Sequence, residues 1–436
     1  MERKGNARTF MCGYIKPGRI DDALKEEYAL GDGSGQVRWE RHDMSESQHW
    51  CSELDTISGV PKNTEFWYGI YYESFVDSFA GKGTSHWVLE RNHKCVLKDS
   101  FNCVVRRLHL FRFPFDKNII AIELDERDAD LNDLTYLHSK MRDVSSYGWG
   151  MKNIKGHEDF FEAIQPLLDM SPEGKYTDWV DTGAKLKAFQ IVDTDDIDNG
   201  LLYELGTMSK IGVVKDTTDP DSPAQSYYDS IMAENTVEVF RNWSMLALLD
   251  TVTVVGKDFD KWMFMWAASY FRMIYIHALY QKLSLFDINR KFRDPGVNPV
   301  RLVDEMKDIE RDYSFPTISY NFLPQLIYEK IKHGLEVDSE REQIHGYVEQ
   351  EGKRQEELRA KQSLESEKKL QNSLTWLTSL TLGSVLYDLT SWFFDIGDKG
   401  GSYRITALAV LLVLMTVTAL LFKSQIIEWI WRDKRK

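Results

Sequence analysis

The sequence predicts an α+β cytosolic domain followed by a helical region, a long stalk helix and a two-helix C-terminal transmembrane hairpin. Three observations predict this order. Runs of β-branched and aromatic residues are concentrated before about residue 220, and helical patterns dominate after it. No proline follows Pro324, which leaves room for a very long helix. Two mostly apolar stretches, Leu374–Phe394 and Ile405–Phe422, then close the chain.

Composition bounds the answer. A chain of 436 residues has material for two or three domains. Its formal net charge of −14 argues against nucleic acid as a partner. The hydrophobic share of 43% is ordinary, so any membrane portion is a small fraction. Cys12, Cys51, Cys95 and Cys103 form no C-x-x-C pair and read as reduced thiols. The start, MERKGNARTFMCGYIKPG, has no apolar region after its basic residues, so the bulk of the chain is expected to stay on the side of synthesis.

Residues 1–220 read as a cytosolic α/β sensor domain. Val104–Phe113 and Ile119–Leu124 are strand-like runs joined by Pro-Phe-Asp-Lys-Asn, which predicts a hairpin. Leu131–Val144 reads as a helix, and DTTDPDSP from Asp216 marks a boundary. Residues 221–300 read as aromatic helices, with Gln225–Phe292 helical. Trp262–Tyr280 is apolar enough to suggest a span, but Arg272 and His277 interrupt it, so it reads as a buried helix outside the membrane.

After the Asp294–Pro299 break, residues 301–372 form the stalk, within a helix predicted to run from Gln325 to Phe394. Leu326, Ile331, Leu335, Ile344, Val348, Leu358 and Leu364 give it a loose apolar stripe, while Glu349–Lys369 is mostly charged. Such a helix persists by packing beside copies of itself or by being held at its end. The alternative is a solvated tether, for which Gly346 and Gly352 speak.

Residues 373–394 are then transmembrane helix 1, 395–404 an outer loop, 405–423 transmembrane helix 2 and 424–436 a basic cytoplasmic tail. Trp429 and Trp431 stand at belt depth. Keeping Lys368, Lys369 and the tail on one side favours the hairpin, with both termini cytoplasmic and the protein multi-pass in the inner membrane. Asp388 falls inside the first span, where an unaided carboxylate costs at least about 2.5 kcal/mol. At 100° per residue, Ser373, Thr381, Ser384, Asp388 and Ser391 share an arc and read as pore-lining. Asp395 and Asp398 stand at the outer mouth. The alternative is that Asp388 is hydrated near the interface without any pore.

This order of a cytosolic α/β domain, aromatic helices, stalk, two spans, short outer loop and basic tail resembles the CorA family of metal-ion transporters. The segment HALYQKLSLFDINRKF is similar to the helix preceding the stalk in divergent members. The likeness covers roughly residues 100–436 and is architectural. It implies a homopentamer in the lipid bilayer whose first span lines the pore. The family's Gly-Met-Asn triplet is missing, because SWFFDIGD stands in its place. Divergent members serve as membrane effectors of anti-phage defence, including type III CRISPR loci, activated by a nucleotide second messenger such as an S-adenosylmethionine–AMP conjugate. The alternatives are a conventional Mg2+/Co2+ transporter and a membrane-tethered sensor without a pore.

Three further constellations qualify this reading. Arg106, Arg107, Arg112 and Lys117 surround one predicted strand, and strand alternation would turn Arg106 and Arg112 together toward an anionic ligand. Asp193, Asp195, Asp196 and Asp198 form an acidic cluster to which a divalent cation such as Mg2+ is the natural ligand, although the spacing departs from an EF-hand at Ile197 and Asp198. A solvated loop is the plainer reading. No cofactor is otherwise called for. GDGSG at Gly31–Gly35 lacks a following Lys-Ser/Thr, and no nucleophile–base pair is legible, so no enzymatic activity is expected.

Overall fold

The computed structural model describes residues 3–15, 84–97, 101–142, 186–195, 197–259, 271–294, 296–315, 317–318 and 322–395. It also describes short pieces at 20, 24–25, 27–29, 35–42, 405, 408–410, 412–413 and 416. Two compact units result, Met1–Val348 and Glu349–Lys436.

The first unit is built on a mixed nine-stranded sheet. Its strands are β1 (Lys4–Ile15), β4 (Glu40–His42), β5 (Ser85–Leu97), β6 (Phe101–Phe113), β7 (Lys117–Asp130), β8 (Lys187–Thr194), β9 (Thr236–Val237), β10 (Trp243–Ala247) and β11 (Thr251–Gly256). Between β1 and β4, β2 (Glu27–Ala29) and β3 (Gln36–Arg38) pair separately. The order is β4-β5-β6-β7-β1-β8-β11-β10-β9. Every neighbouring pair is antiparallel except β8 with β11.

β6 and β7 form the hairpin that the sequence predicts, closed by the three residues Pro114, Phe115 and Asp116. Phe115 and Asp116 both have left-handed backbone, φ 61° and 57°, and the Lys117 amide donates to the Pro114 carbonyl at 3.4 Å. That backbone matches the twist of the strands but is unusual for phenylalanine. The helix predicted after β7 is α1 (Leu131–Arg142).

Helices cover both faces of the sheet, so its central strands are apolar on both sides. On one face α1 and α2 (Asn199–Thr207) pack on Ala7, Met11, Ile122, Leu124 and Val192. On the other, α4 (Arg272–Phe292), α5 (Pro299–Tyr313) and α6 (Phe322–Gly334) pack on Phe10, Phe111, Phe113 and Phe189. The short α3 (Gln225–Asn235) leads into β9. Residues 236–256 therefore extend the sheet, where the sequence suggested helix. DTVTVV alternates too little to reveal itself because β11 is buried on both faces.

At the Asp294–Pro299 break, the Asn298 side chain accepts from the Val300 amide at 3.0 Å and Pro299 occupies the first turn of α5. The long helix predicted from Gln325 is interrupted once. α6 ends at Gly334, where an added Cβ would collide with the Ala247 carbonyl, and Glu336 adopts φ 55°. From there α7 runs unbroken from Val337 to Asp395, 59 residues.

No helix of the described residues is long and apolar enough to cross a membrane. This overturns the transmembrane hairpin, and with it the membrane and channel reading and the multi-pass location in the inner membrane. The physical reason lies in the last turns of α7. Thr375, Thr378, Thr381, Ser384, Asp388 and Ser391 dilute the apolar residues around them. Asp398, most of Ile405–Phe422 and the tail 424–436 lie outside the described residues.

Candidate functional site

Two buried imidazole–carboxylate pairs sit on β7, one on each face of the sheet. His109 reaches Glu123 from the neighbouring strand β6 and His138 reaches Glu126 from α1, while β1, between β7 and β8, brings Arg8 and Thr9 beside them. Glu123 and Glu126 are both fully buried. Adjacent residues of β1 reach them from opposite faces: Arg8 lies against Glu123, and Thr9 against Glu126.

On the α1 face, hydrogen-bond geometry fixes the protons. Gln190 Nε2 donates to the Leu205 carbonyl and to Thr253 Oγ1, both at 2.7 Å. Gln190 Oε1 is therefore the atom facing His138 Nδ1 at 3.0 Å, so Nδ1 donates. His138 Nε2 lies 2.7 Å from Glu126 Oε1, and Glu126 Oε2 accepts from Thr9 Oγ1 at 2.8 Å. One further proton is shared between His138 and Glu126, and the network is closed.

On the α4 face the arrangement is a chain. His109 Nε2 lies 2.9 Å from Glu123 Oε2, and His109 Nδ1 lies 3.1 Å from His86 Nε2. With Nε2 donating to the carboxylate, Nδ1 accepts from His86. His86 stacks on Phe111, their ring centroids 4.3 Å apart. Arg8 Nε stands 3.9 Å from Glu123 Oε1, and its terminal nitrogen 4.0 Å from Asp125. The buried Arg272 guanidinium lies 4.8 Å from the centroid of the Phe10 ring.

These groups hold protons but offer no nucleophile to solvent. Thr9 is committed to Glu126, and burial pushes the Cys12 thiol far up, against a smaller opposing pull from Arg272. His277, on α4, is likewise sealed. Burial and then the Lys332 charge lower its pKa to about 3.

The arginines expected to act together are separated. A register shift between Val105 and Arg107 interrupts the alternation of β6. Arg106 lies 4.0 Å from Asp125, and Arg107 Nε donates to Glu90 at 2.5 Å. Arg112 falls instead in step with the core residues Leu108 and Leu110. Lys117 pairs with Asp287 of α4.

The acidic residues are dispersed as well. Asp193, held above the usual carboxylate range mainly by burial, accepts from the Phe259 amide at 3.3 Å. Asp195 is exposed, and Asp196 lies outside the described residues. Asp198 caps α2 by accepting from the Leu201 amide at 2.7 Å and pairs with Lys215 and Arg3. Among the described residues no group of three or more His, Cys, Asp or Glu is placed to hold a metal ion.

Ser373, Thr381, Ser384, Asp388 and Ser391 lie on α7 and are exposed. Ser373 Oγ and Thr381 Oγ1 donate back to the carbonyls of Lys369 and Leu377. Asp395 is the last residue of the helix.

Sequence reasoning missed Arg8, His86, His109, Glu123, Glu126 and His138. The available signal was a charge or imidazole at alternate positions inside apolar strands, as in RRLHLF and IIAIELDE. No protein family, curated protein or solved structure matches the chain.

Proposed function

We propose that the protein is a non-enzymatic, self-assembling protein in which α7 gathers several copies of the α/β unit. The observation that supports this is the exposure of large apolar side chains along α7. Leu370, Leu374, Trp376, Leu377 and Leu380 are 56–73% exposed. At about 100° per residue, Leu370, Leu374 and Leu377 share one face, and Leu380 and Trp376 widen it to an arc of roughly 160°, broader than the seam a single neighbouring helix covers. Burial is worth about 25 cal/mol per Å2 of apolar surface, and an assembly of more than two helices buries the most. The charged stretch before it, Glu349–Lys369, carries its own i,i+4 pair, Lys353 with Glu349 at 2.7 Å, and suits the solvated part of such an assembly.

Sedimentation velocity of the full chain in the micromolar range tests the proposal. The expected species is larger than a dimer. Leu377→Lys with Leu380→Lys should weaken association by at least about a hundredfold, since each buried leucine is worth about 1.5–3 kcal/mol. A monomer at every concentration overturns the proposal.

A further inference from the structure

We propose that Cys95 and Cys103 form a modification site, a thiol pair that a hydroperoxide converts to a disulfide bridging β5 and β6. The two residues stand directly opposite each other in the antiparallel register. They are the middle of five consecutive pairs, from His93 with Val105 to Leu97 with Phe101. Directly opposite residues of antiparallel strands share a face, with Cα atoms about 4.5–5.5 Å apart. A disulfide spans Cα separations of about 4.4–6.8 Å, so the bridge fits this backbone without rearrangement.

The fold also ranks the two residues by access. β4 pairs with β5 only from His86 to Val88, so among the described residues no strand lies beyond Cys95. Cys103 is one strand further in and fully buried, in the core beneath α1 and α2. Across the register from it on β7 stands Glu126, the carboxylate of the closed network. A bridge would therefore tie the sheet's outer strand to the strand beside that network. Cys12 cannot compete, because it lies in the core on the other face, where burial holds its thiol far above the usual range. Cys51 lies outside the described residues.

The chemistry balances with hydrogen peroxide as the oxidant. The Cys95 sulfur takes one peroxide oxygen, becoming a sulfenic acid, and water is released. The Cys103 sulfur then attacks the Cys95 sulfur. The S–S bond forms as the sulfenic hydroxyl leaves with the Cys103 proton, as a second water. Two thiols lose two electrons, and one peroxide gains them. The reduced pair is the resting form, and a dithiol reductant restores it by exchange. Both residues belong to the first unit of one chain, so the site is independent of assembly through α7.

Peroxide treatment of the full chain, then alkylation and tryptic mapping without reductant, tests this. Cleavage after Lys94, Lys98 and Arg106 leaves the two cysteines on separate peptides, CVLK and DSFNCVVR. The expected product joins these peptides, with Cys12 recovered as a thiol. The melting temperature should rise by about 2–4 °C, because the bridge restricts the unfolded chain. Cys103→Ala should abolish that rise and leave a Cys95 sulfenic acid that dimedone traps. The residues are also close in sequence, so a glutathione redox series in buffer and in urea separates register from proximity. The folded chain should form the bridge at least about tenfold more readily, since whatever the bridge adds to folding, folding adds to the bridge. Equal readiness in buffer and urea overturns the proposal, as does a bridge from Cys51 to either residue. Recovery of both Cys95 and Cys103 as alkylated thiols after peroxide also overturns it.

Discussion

On the face covered by α1 and α2, Glu126 has both oxygens engaged, by His138 and by Thr9, and Gln190 ties the imidazole to Leu205 and Thr253. On the face covered by α4, α5 and α6, Glu123 Oε1 has no hydrogen-bond partner among the described residues, nor do Tyr275 Oη and Gln281 Oε1. Among the described residues the first face has fewer such atoms, Trp39 Nε1 and Arg142 Nε among them. Buried polar groups are normally satisfied, and a closed network specifies one arrangement where an open one tolerates several. The difference marks the α1 face as the rigid side of the sheet. The α4 face, which also bears Lys117 and Asp287, is the side with latitude to respond.

The largest effect should come from breaking the closed network. Glu126→Leu leaves His138 and Thr9 facing an apolar side chain, at a cost of about 3–5 kcal/mol, the range for removing one partner of a buried charged pair. Glu123→Leu should cost less, about 1–3 kcal/mol, because only one of its oxygens is hydrogen-bonded and Arg8 retains Asp125. Urea unfolding of both variants measures this. Equal losses would erase the distinction between the faces.

A smaller, pH-dependent effect belongs to His277. Its folded pKa, about 3, lies below the unfolded value near 6.5. Between those values the unfolded chain binds a proton that the folded chain does not. The contribution is complete above pH 6.5 and is lost as pH falls, at about 1.4 kcal/mol per unit. His277→Phe should remove that slope, with the ring still packed near Tyr328 and Phe315. Parallel pH profiles for the two proteins would show that the imidazole reaches water, and the α4 face would then be more open than its packing indicates.

Local features were legible and long-range ones were not. The β6–β7 hairpin and α1 follow from alternation, a turn and a helical run within about 40 residues of each other. The break before α5 is written in Asn298 and Pro299. By contrast, the shift at Val105/Arg107 that parts Arg106 from Arg112 is a property of pairing between strands, and no residue announces it. His138 and Glu126 are twelve positions apart, yet Gln190 and Thr253 join them only through β8 and β11. The stretch Leu374–Phe394 misled because its apolar residues stand out by eye, while the hydroxyls between them lower its apolar character below what a span requires. Lys117 was singled out for its charge, but its partner Asp287 lies 170 positions away on α4, and no local pattern joins the two.

The smallest effect concerns the edge of the rigid face and decides what the aspartates near Asp193 do. Asp198 accepts from the Leu201 amide and pairs with Lys215 at 2.9 Å and Arg3 at 3.3 Å. Burial would raise its carboxyl, but the Lys215 and Leu201 hydrogen bonds, with help from Arg3, outweigh it and hold the group below the usual carboxylate range. Its stabilisation is therefore present above that range and lost as pH falls through the folded value. Asp198→Ala should cost about 1–2 kcal/mol, most of it from the cap, because partly exposed ion pairs add little. Asp198→Asn keeps a capping oxygen and should cost only a few tenths, and the pH dependence should vanish in both. If the residue is a cap, millimolar magnesium leaves the melting temperature of the wild type unchanged. If a cation gathers these carboxylates instead, magnesium raises the melting temperature and Asp198→Asn abolishes the rise. The Leu201 amide already occupies one carboxylate oxygen and two cations share the other, which leaves a divalent ion to compete with partners the fold has put in place.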